Sequence, residues 1–261
     1  MRHRNGRLMV AALLLPLTLF ACTAAPPPEP EERGGPPVGS RVVFTGDFET
    51  GDFSQWTRCQ NRAFSAPCEE YDGDFYGARI VDDEVSQGEF AARFEVRNGD
   101  DPSWGGGERS EVSRYDGAKV HEGDERWYQF SLKFDEDFPD IKGNFFIVMQ
   151  WHAGKGSPPM ALTVNHDREL VLANNVHDGQ NRVIGEIQRG EWVDYVVHVK
   201  FSQSKDRGWA EVYQDGELVV PRHARASMSS DSNYLKMGIY RASIERSTAI
   251  IWQDGLQVTA P

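Results

Sequence analysis

Apolar residues recur at every second position through most of this chain and almost nowhere at the three-to-four spacing of a helix. Alternation, or short runs of β-branched and aromatic residues, marks segments 42–48, 77–81, 90–96, 108–115, 126–134, 144–152, 160–164, 170–173, 192–201, 208–213, 234–240 and 249–258. Turn formers separate them, at Asn98-Gly99-Asp100-Asp101-Pro102, Asp116-Gly117, Asn165-His166-Asp167, Asp178-Gly179 and Asp215-Gly216. The run Tyr213-Gln214-Asp215-Gly216-Glu217-Leu218 predicts a hairpin, because Asp-Gly suits the positive φ of a type I′ turn. Many short strands punctuated in this way predict an all-β domain, a β-sandwich or jelly roll of two antiparallel sheets packed face to face. No 20-to-50-residue repeat is visible, which disfavours propellers and solenoids. Only the stretch from Cys59 to Cys68, with its charged flank to Asp74, reads as a long loop.

Polar residues inside these strands need a reason. In GNFFIVMQWHAG, residues 143–154, alternation puts Phe145, Ile147, Met149 and Trp151 on one face and Phe146, Val148, Gln150 and His152 on the other. A strand apolar on both faces is predicted to be buried on both, so Gln150 and His152 at its tip must find partners. In ERSEVSR, Arg109, Glu111 and Ser113 share a face; in YLKMGIYR, Tyr234, Lys236, Gly238 and Tyr240 do. If those faces line one concave sheet, the groove gathers Arg109, Glu111, Gln150, His152, Lys236 and Tyr240. Arg and Lys neutralise a carboxylate, Gln donates an amide hydrogen, and His with Tyr supplies a base and an acid. Gly238 is expected to leave room there for a ligand to reach the backbone. Each residue also has a plainer reading: a satisfied strand-end histidine, a core tyrosine with its hydroxyl at the rim, a surface Arg109–Glu111 pair, an edge lysine.

The N-terminus is of another kind. MRHRNGR precedes LMVAALLLPLTLFAC, a basic region and then an apolar one, which predicts a signal peptide over residues 1–21 that is too short to span a membrane. Leu19-Phe20-Ala21-Cys22 resembles a bacterial lipobox, so Cys22 is expected to carry lipid on an exported cell-envelope protein; the alternative is an ordinary secretion signal cut nearby. Residues 22–40, rich in Pro, Gly and Glu, predict an extended tether, leaving residues 41–261 as the single folded domain. Loss of residues 1–21 would remove Arg2, Arg4 and Arg7 and no acid, deepening the formal charge from −12 to −15. That balance argues against nucleic acid or an anionic membrane surface as partner, so membrane contact is expected through the lipid alone. Cys59 and Cys68 remain as an even pair in an oxidising compartment, which predicts one disulfide. Neither further cysteines nor a histidine pair of HExxH type offers a zinc site.

Taken together, Arg109-Ser110-Glu111-Val112, Gln150-Trp151-His152 and Tyr234-Leu235-Lys236-Met237-Gly238-Ile239-Tyr240 resemble the three signature strands of the β-jelly-roll polysaccharide lyases. These include alginate lyases of that fold and the heparinase I and glucuronan lyase group. FTGDFETGDFSQW, GEWVDYVVHVKFS, WAEVYQDGELV and WQDGLQV follow in the expected order, so the resemblance runs from about Val42 to the C-terminus. It implies a concanavalin-like jelly roll and β-elimination across a 1,4-linked uronic acid. By the same resemblance Arg109 and Gln150 hold the uronate carboxylate, His152 and Tyr240 handle protons, and Lys236 falls on a functional lysine. Glu111 and Arg241 are expected to contact substrate. Two departures, Ser113 where alginate lyases tend to carry a second Arg and Arg241-Ala242-Ser243 after the tyrosine, favour the glucuronan or heparinase side.

The reaction so implied asks for no metal or cofactor. It does ask that Tyr240 ionise below its ordinary value of about 10 if it is to act as base, with Lys236 as the nearby cation. The expected partner is an acidic polysaccharide of modest charge density, acted on by a monomer. A non-catalytic carbohydrate-binding or laminin-G-like sandwich is the main rival. A glycoside hydrolase on the same scaffold would need paired carboxylates roughly 5 to 9 Å apart, and no ExDxxE strand supplies them.

Overall fold

A computed structural model describes residues 34–102, 106–175 and 181–261 of the chain. The signal segment, Cys22, the tether as far as residue 33 and the Asp178-Gly179 turn lie outside the described residues.

In chain order the described strands are β1 (Arg41–Gly46), β2 (Arg58–Asn61), β3 (Ser65–Pro67), β4 (Ala78–Val81), β5 (Ala91–Val96), β6 (Glu108–Arg114), β7 (Val120–His121), β8 (Glu125–Phe134) and β9 (Phe146–His152). There follow β10 (Met160–Val164), β11 (Glu169–Ala173), β12 (Arg182–Glu186), β13 (Trp192–Lys200), β14 (Trp209–Gln214), β15 (Glu217–Ala224), β16 (Ser232–Arg241) and β17 (Ala249–Ala260). They form two antiparallel sheets. One runs β15-β14-β13-β8-β17-β5-β4 with β1 also on β17, and the other β12-β11-β10-β9-β16-β6-β2-β3 with β7 also on β16. This is the predicted all-β jelly roll of two sheets.

Each of the twelve predicted segments holds a strand, some burying alternate side chains, as in β8 and β13, and others, such as β6 and β9, burying both faces. Tyr128, Phe130, Leu132 and Phe134 of β8 and Val193, Tyr195, Val197 and Val199 of β13 point into the core from one sheet. Val112, Met149, Trp151, Leu235, Met237 and Ile239 meet them from the other, with Trp151 edge-on to Tyr128 at 5.0 Å between ring centres. Burying side chains of this size contributes about 1.5–3 kcal/mol each. Asp215 and Gly216 both take positive φ at the β14–β15 turn, as the Asp-Gly signal requires.

The stretch read as a loop is instead the β2–β3 hairpin. Cys59 and Cys68 are bonded, and β2 pairs with β6 in unbroken register from Arg58 to Asn61. Its strands are too short and polar to show alternation, and cross-strand pairing supplies what the pattern lacks.

Alternation also fails within β9. One step on β10, from Leu162 to Thr163, faces two on β9, from Met149 to Ile147, and those two face three on β16, from Met237 to Tyr240. Such bulges bend a strand and change its parity beyond them. Val148 and Met149 both enter the core, so Phe145 and Ile147 turn to the face of Gln150 and His152, where Phe146 and Val148 were expected. Gly238 sits in this irregular stretch at φ 116°. A Cβ there would fall into the Ser110 carbonyl oxygen and within 2.8 Å of Glu111 Cα. The glycine therefore admits the backbone of β6; the expectation that it makes room for a ligand is corrected.

At the other sheet's solvent face, Gly34, Gly35 and Pro37 line a small cleft with Trp127, His198, Glu211, Tyr213 and Arg222. Gly34 lies against the Tyr213 ring, where no Cβ would fit, and Trp127 is only 4 % exposed. The end of the expected tether is thus part of the folded unit.

Candidate active site

Because β9, β16 and β6 are neighbours in one sheet, the three polar motifs come side by side. Lys236 stands directly opposite Gln150 on β9 and Ser113 on β6, and Tyr240 opposite Arg109. All five residues predicted to be catalytic, Arg109, Gln150, His152, Lys236 and Tyr240, line one groove of about 840 Å³. The segment 154–158 closes one side and brings Lys155, which the sequence reading missed, along with Phe145 and Ile147 from the bulged strand.

Glu111 organises the floor. At 2 % exposure it accepts a hydrogen bond from Gln150 Nε2 at 2.5 Å and pairs with Lys236 Nζ at 2.5 Å, while Arg109 Nη1 lies 3.7 Å away. It is a positioning residue under the groove rather than the expected substrate contact. Counted as ionised, Arg109, Lys236 and Glu111 leave one net positive charge in a desolvated place, where Coulomb interactions are stronger than in water. A single carboxylate would balance it. Burial holds Lys236 below the usual lysine range, with Glu111 opposing the shift. Gln150 Oε1 is buried and has no partner among the described residues.

Tyr240 and His152, the pair expected to handle protons, rest in definite states. Tyr240 donates its hydroxyl to the Gly106 carbonyl, and the Arg109 guanidinium carbon lies 4.1 Å from its ring centre. Burial raises the Tyr240 pKa and Arg109 opposes the rise, so the resting group is a phenol. The expected lowering by Lys236 is absent because Glu111 takes up the lysine's charge. His152 Nδ1 accepts the Gly154 N–H at 2.8 Å. Burial, then Lys236, lowers the His152 pKa, which favours a neutral ring with its proton on Nε2. Its ring centre stands 5.4 Å from that of Tyr234.

Arg241 does not belong to this site. It is fully buried, and its Nε donates to Glu108 Oε2 at 2.8 Å. Being next to Tyr240, it must point to the opposite face of β16, a parity that the sequence already contained.

Similar proteins point the same way. A family model described as "Polysaccharide lyase" matches residues 48–257. Among solved structures, an endo-β-1,4-glucuronan lyase from the fungus Trichoderma reesei superposes with a TM-score of 0.62 at 17 % identity, covering 85 % of this chain and 96 % of that one. A family 7 alginate lyase from the marine Zobellia galactanivorans gives 0.52 at 14 % identity, over 79 % and 95 %. The catalytic domain of a glycoside hydrolase family 131 protein from Coprinopsis cinerea gives 0.58 at 13 % identity, over 84 % and 94 %. No match to a curated protein is found. At these identities the superpositions establish the fold, which serves more than one chemistry. The family match covers most of the chain, and the motif residues converge in one groove: the chain belongs to the polysaccharide lyase family and is an enzyme of that class.

Proposed function

We propose that this lyase cleaves a 1,4-linked uronate polymer of gluco or manno configuration, a glucuronan-like chain first of all, by syn β-elimination. The observation that carries the reading is the buried Arg109–Glu111–Lys236 cluster, whose one net positive charge matches one uronate carboxylate. A full carboxylate anion beside C5 makes its hydrogen a very weak acid. In this reading Arg109 and Lys236 neutralise that anion and, with the second Nε2 hydrogen of Gln150, stabilise the enolate-like charge that develops as C5–H breaks. The Tyr240 phenolate then takes the C5 proton, the C4–C5 double bond forms as the C4–O4 bond breaks, and Tyr240 passes the proton to the departing O4. In gluco and manno sugars H5 and O4 lie on one side, so a single group suffices.

The state of His152 supports this division. With Nδ1 accepting from Gly154 and the ring also hydrogen-bonded to the Gly156 backbone, it has no free lone pair with which to take the C5 proton. Guluronate and iduronate place H5 opposite O4 and would need a second group as base. A hydrolase is disfavoured because, among the described residues lining the groove, none is Asp or Glu. The basic and apolar leader, Cys22 and the tether support an exported lipid-anchored protein that meets the membrane only through its lipid.

The test follows ultraviolet absorbance of the unsaturated uronate product with glucuronan, alginate, hyaluronan and heparin. Glucuronan is expected to give the fastest rise, reduced at least about 1,000-fold in Tyr240→Phe and less in His152→Ala. Preferred cleavage of guluronate blocks, with His152→Ala as damaging as Tyr240→Phe, would overturn the syn assignment.

A further inference from the structure

The register of the groove-bearing sheet sets a row of side chains across its strands. Ala161 stands opposite Gln150, Gln150 opposite Lys236, Lys236 opposite Ser113, and Ser113 opposite Arg58. Directly opposed residues share a face, so Arg58 of β2 lies on the groove side two strands beyond Lys236. Gln60, opposite Glu111, lies there too. Neighbouring strands are about 4.8 Å apart, which puts Arg58 about 10 Å from the lysine position.

Arg58 is half-buried. Its Nη2 donates to the Ser65 carbonyl at 2.8 Å and to the Ser65 hydroxyl at 3.2 Å, and no Asp or Glu among the described residues pairs with it. Between it and Lys236, Ser113 Oγ is buried and without a partner among the described residues. The strand that carries Arg58 is held firmly: Cys59, the next residue, is buried and bonded to Cys68, and β2 follows β6 without a break. The backbone that carries this cation, which has no carboxylate partner among the described residues, is therefore held two strands from the cluster proposed to take the first carboxylate.

In an extended 1,4-diequatorial polymer each sugar is turned over relative to the last. Carboxylates on one side recur every second sugar, at close to the same two-strand distance. Resting on the uronate reading above, we propose that Arg58 binds a second uronate carboxylate, two sugars from the one held by Arg109 and Lys236. It is a specificity-determining residue that makes the site select polymers with a uronate at least at every second sugar over those whose charges are spaced more widely. The Ser65 contact uses one Arg58 nitrogen, Nη2, and leaves the other guanidinium N–H groups as donors for a carboxylate.

Calorimetric binding of glucuronate disaccharide and hexasaccharide to the full folded domain tests this, with Tyr240→Phe as background so that binding is read without turnover. Adding Arg58→Gln is expected to weaken the hexasaccharide about tenfold and to leave the disaccharide within about twofold, the signature of one lost charge-assisted contact at a distant sugar. Arg58→Lys should recover part of the loss. A purely structural brace would weaken both lengths alike, and equal loss, no loss at either length, or no binding of the hexasaccharide overturns the proposal. Failure of the reaction itself is seen separately: wild-type protein that yields no unsaturated product sinks the elimination reading, whatever Arg58 does to binding.

Discussion

Glu111 holds two groove residues while lying buried beneath them. Its two oxygens hold the Gln150 amide and the Lys236 ammonium, both at 2.5 Å. Glu111→Ala would leave Lys236, 4 % exposed, as an uncompensated buried cation. A loss of about 3–5 kcal/mol is expected in denaturant unfolding, whereas Glu111→Gln with Lys236→Met should recover most of the stability and none of the activity. The pH profile belongs to the same scale. Because burial raises the Tyr240 pKa, the phenolate fraction and kcat/KM should climb steadily with pH from neutral into the alkaline range. The His152 pKa is lowered, so below about 6.5 the unfolded chain takes up this proton before the folded one does. His152 should therefore cost stability as pH falls through that range, and His152→Asn should flatten the acid side of a melting-temperature profile. The gathering of side chains in one groove was legible in the sequence where period two applied, as for Arg109, Gln150, Lys236 and Tyr240. The same rule, kept for Arg241, would have sent it to the core.

Between strands, register decides what the residues can do. The stepwise mismatch across β10, β9 and β16 turns Phe145 and Ile147 outward and brings Tyr240 level with Ile147. Nothing in FFIVMQWH marks that step, since both parities are apolar; only the neighbouring strands define it. Gly238 is where the arrangement is most easily broken. Gly238→Ala combines a disfavoured positive φ with a collision against β6 backbone, and a loss of at least about 2 kcal/mol is expected in thermal or denaturant melts. Activity should fall further than stability explains, because Lys236 and Tyr240 flank the displaced stretch. The β2–β3 hairpin was hidden for a different reason. Strands of three and four residues leave no period to read, and the disulfide gave the only hint that the segment was ordered.

For the molecule as a whole, a chain of formal charge −12 binding a polyanion sets long-range repulsion against short-range attraction. Added salt screens exposed charges beyond about 8 Å at physiological ionic strength and reaches the buried Arg109–Glu111–Lys236 cluster much less. The specificity constant on long polymer should thus rise from very low salt to a maximum before falling, whereas a short oligosaccharide should show little rise; a monotonic fall for both would contradict this balance. Fold class was legible early because short strands of alternating or continuous apolar character, separated by turn formers, fill most of the chain. The groove's extent was not, because segment 154–158 and the bulged strand contribute through geometry that no local pattern encodes. One further consequence concerns handling. Gly34 to Pro37 lie on the sheet that does not carry the groove, so a bead or surface coupled ahead of that segment would hold the enzyme by its back. Immobilised in that orientation, the protein would still let a long polymer pass freely across its working side.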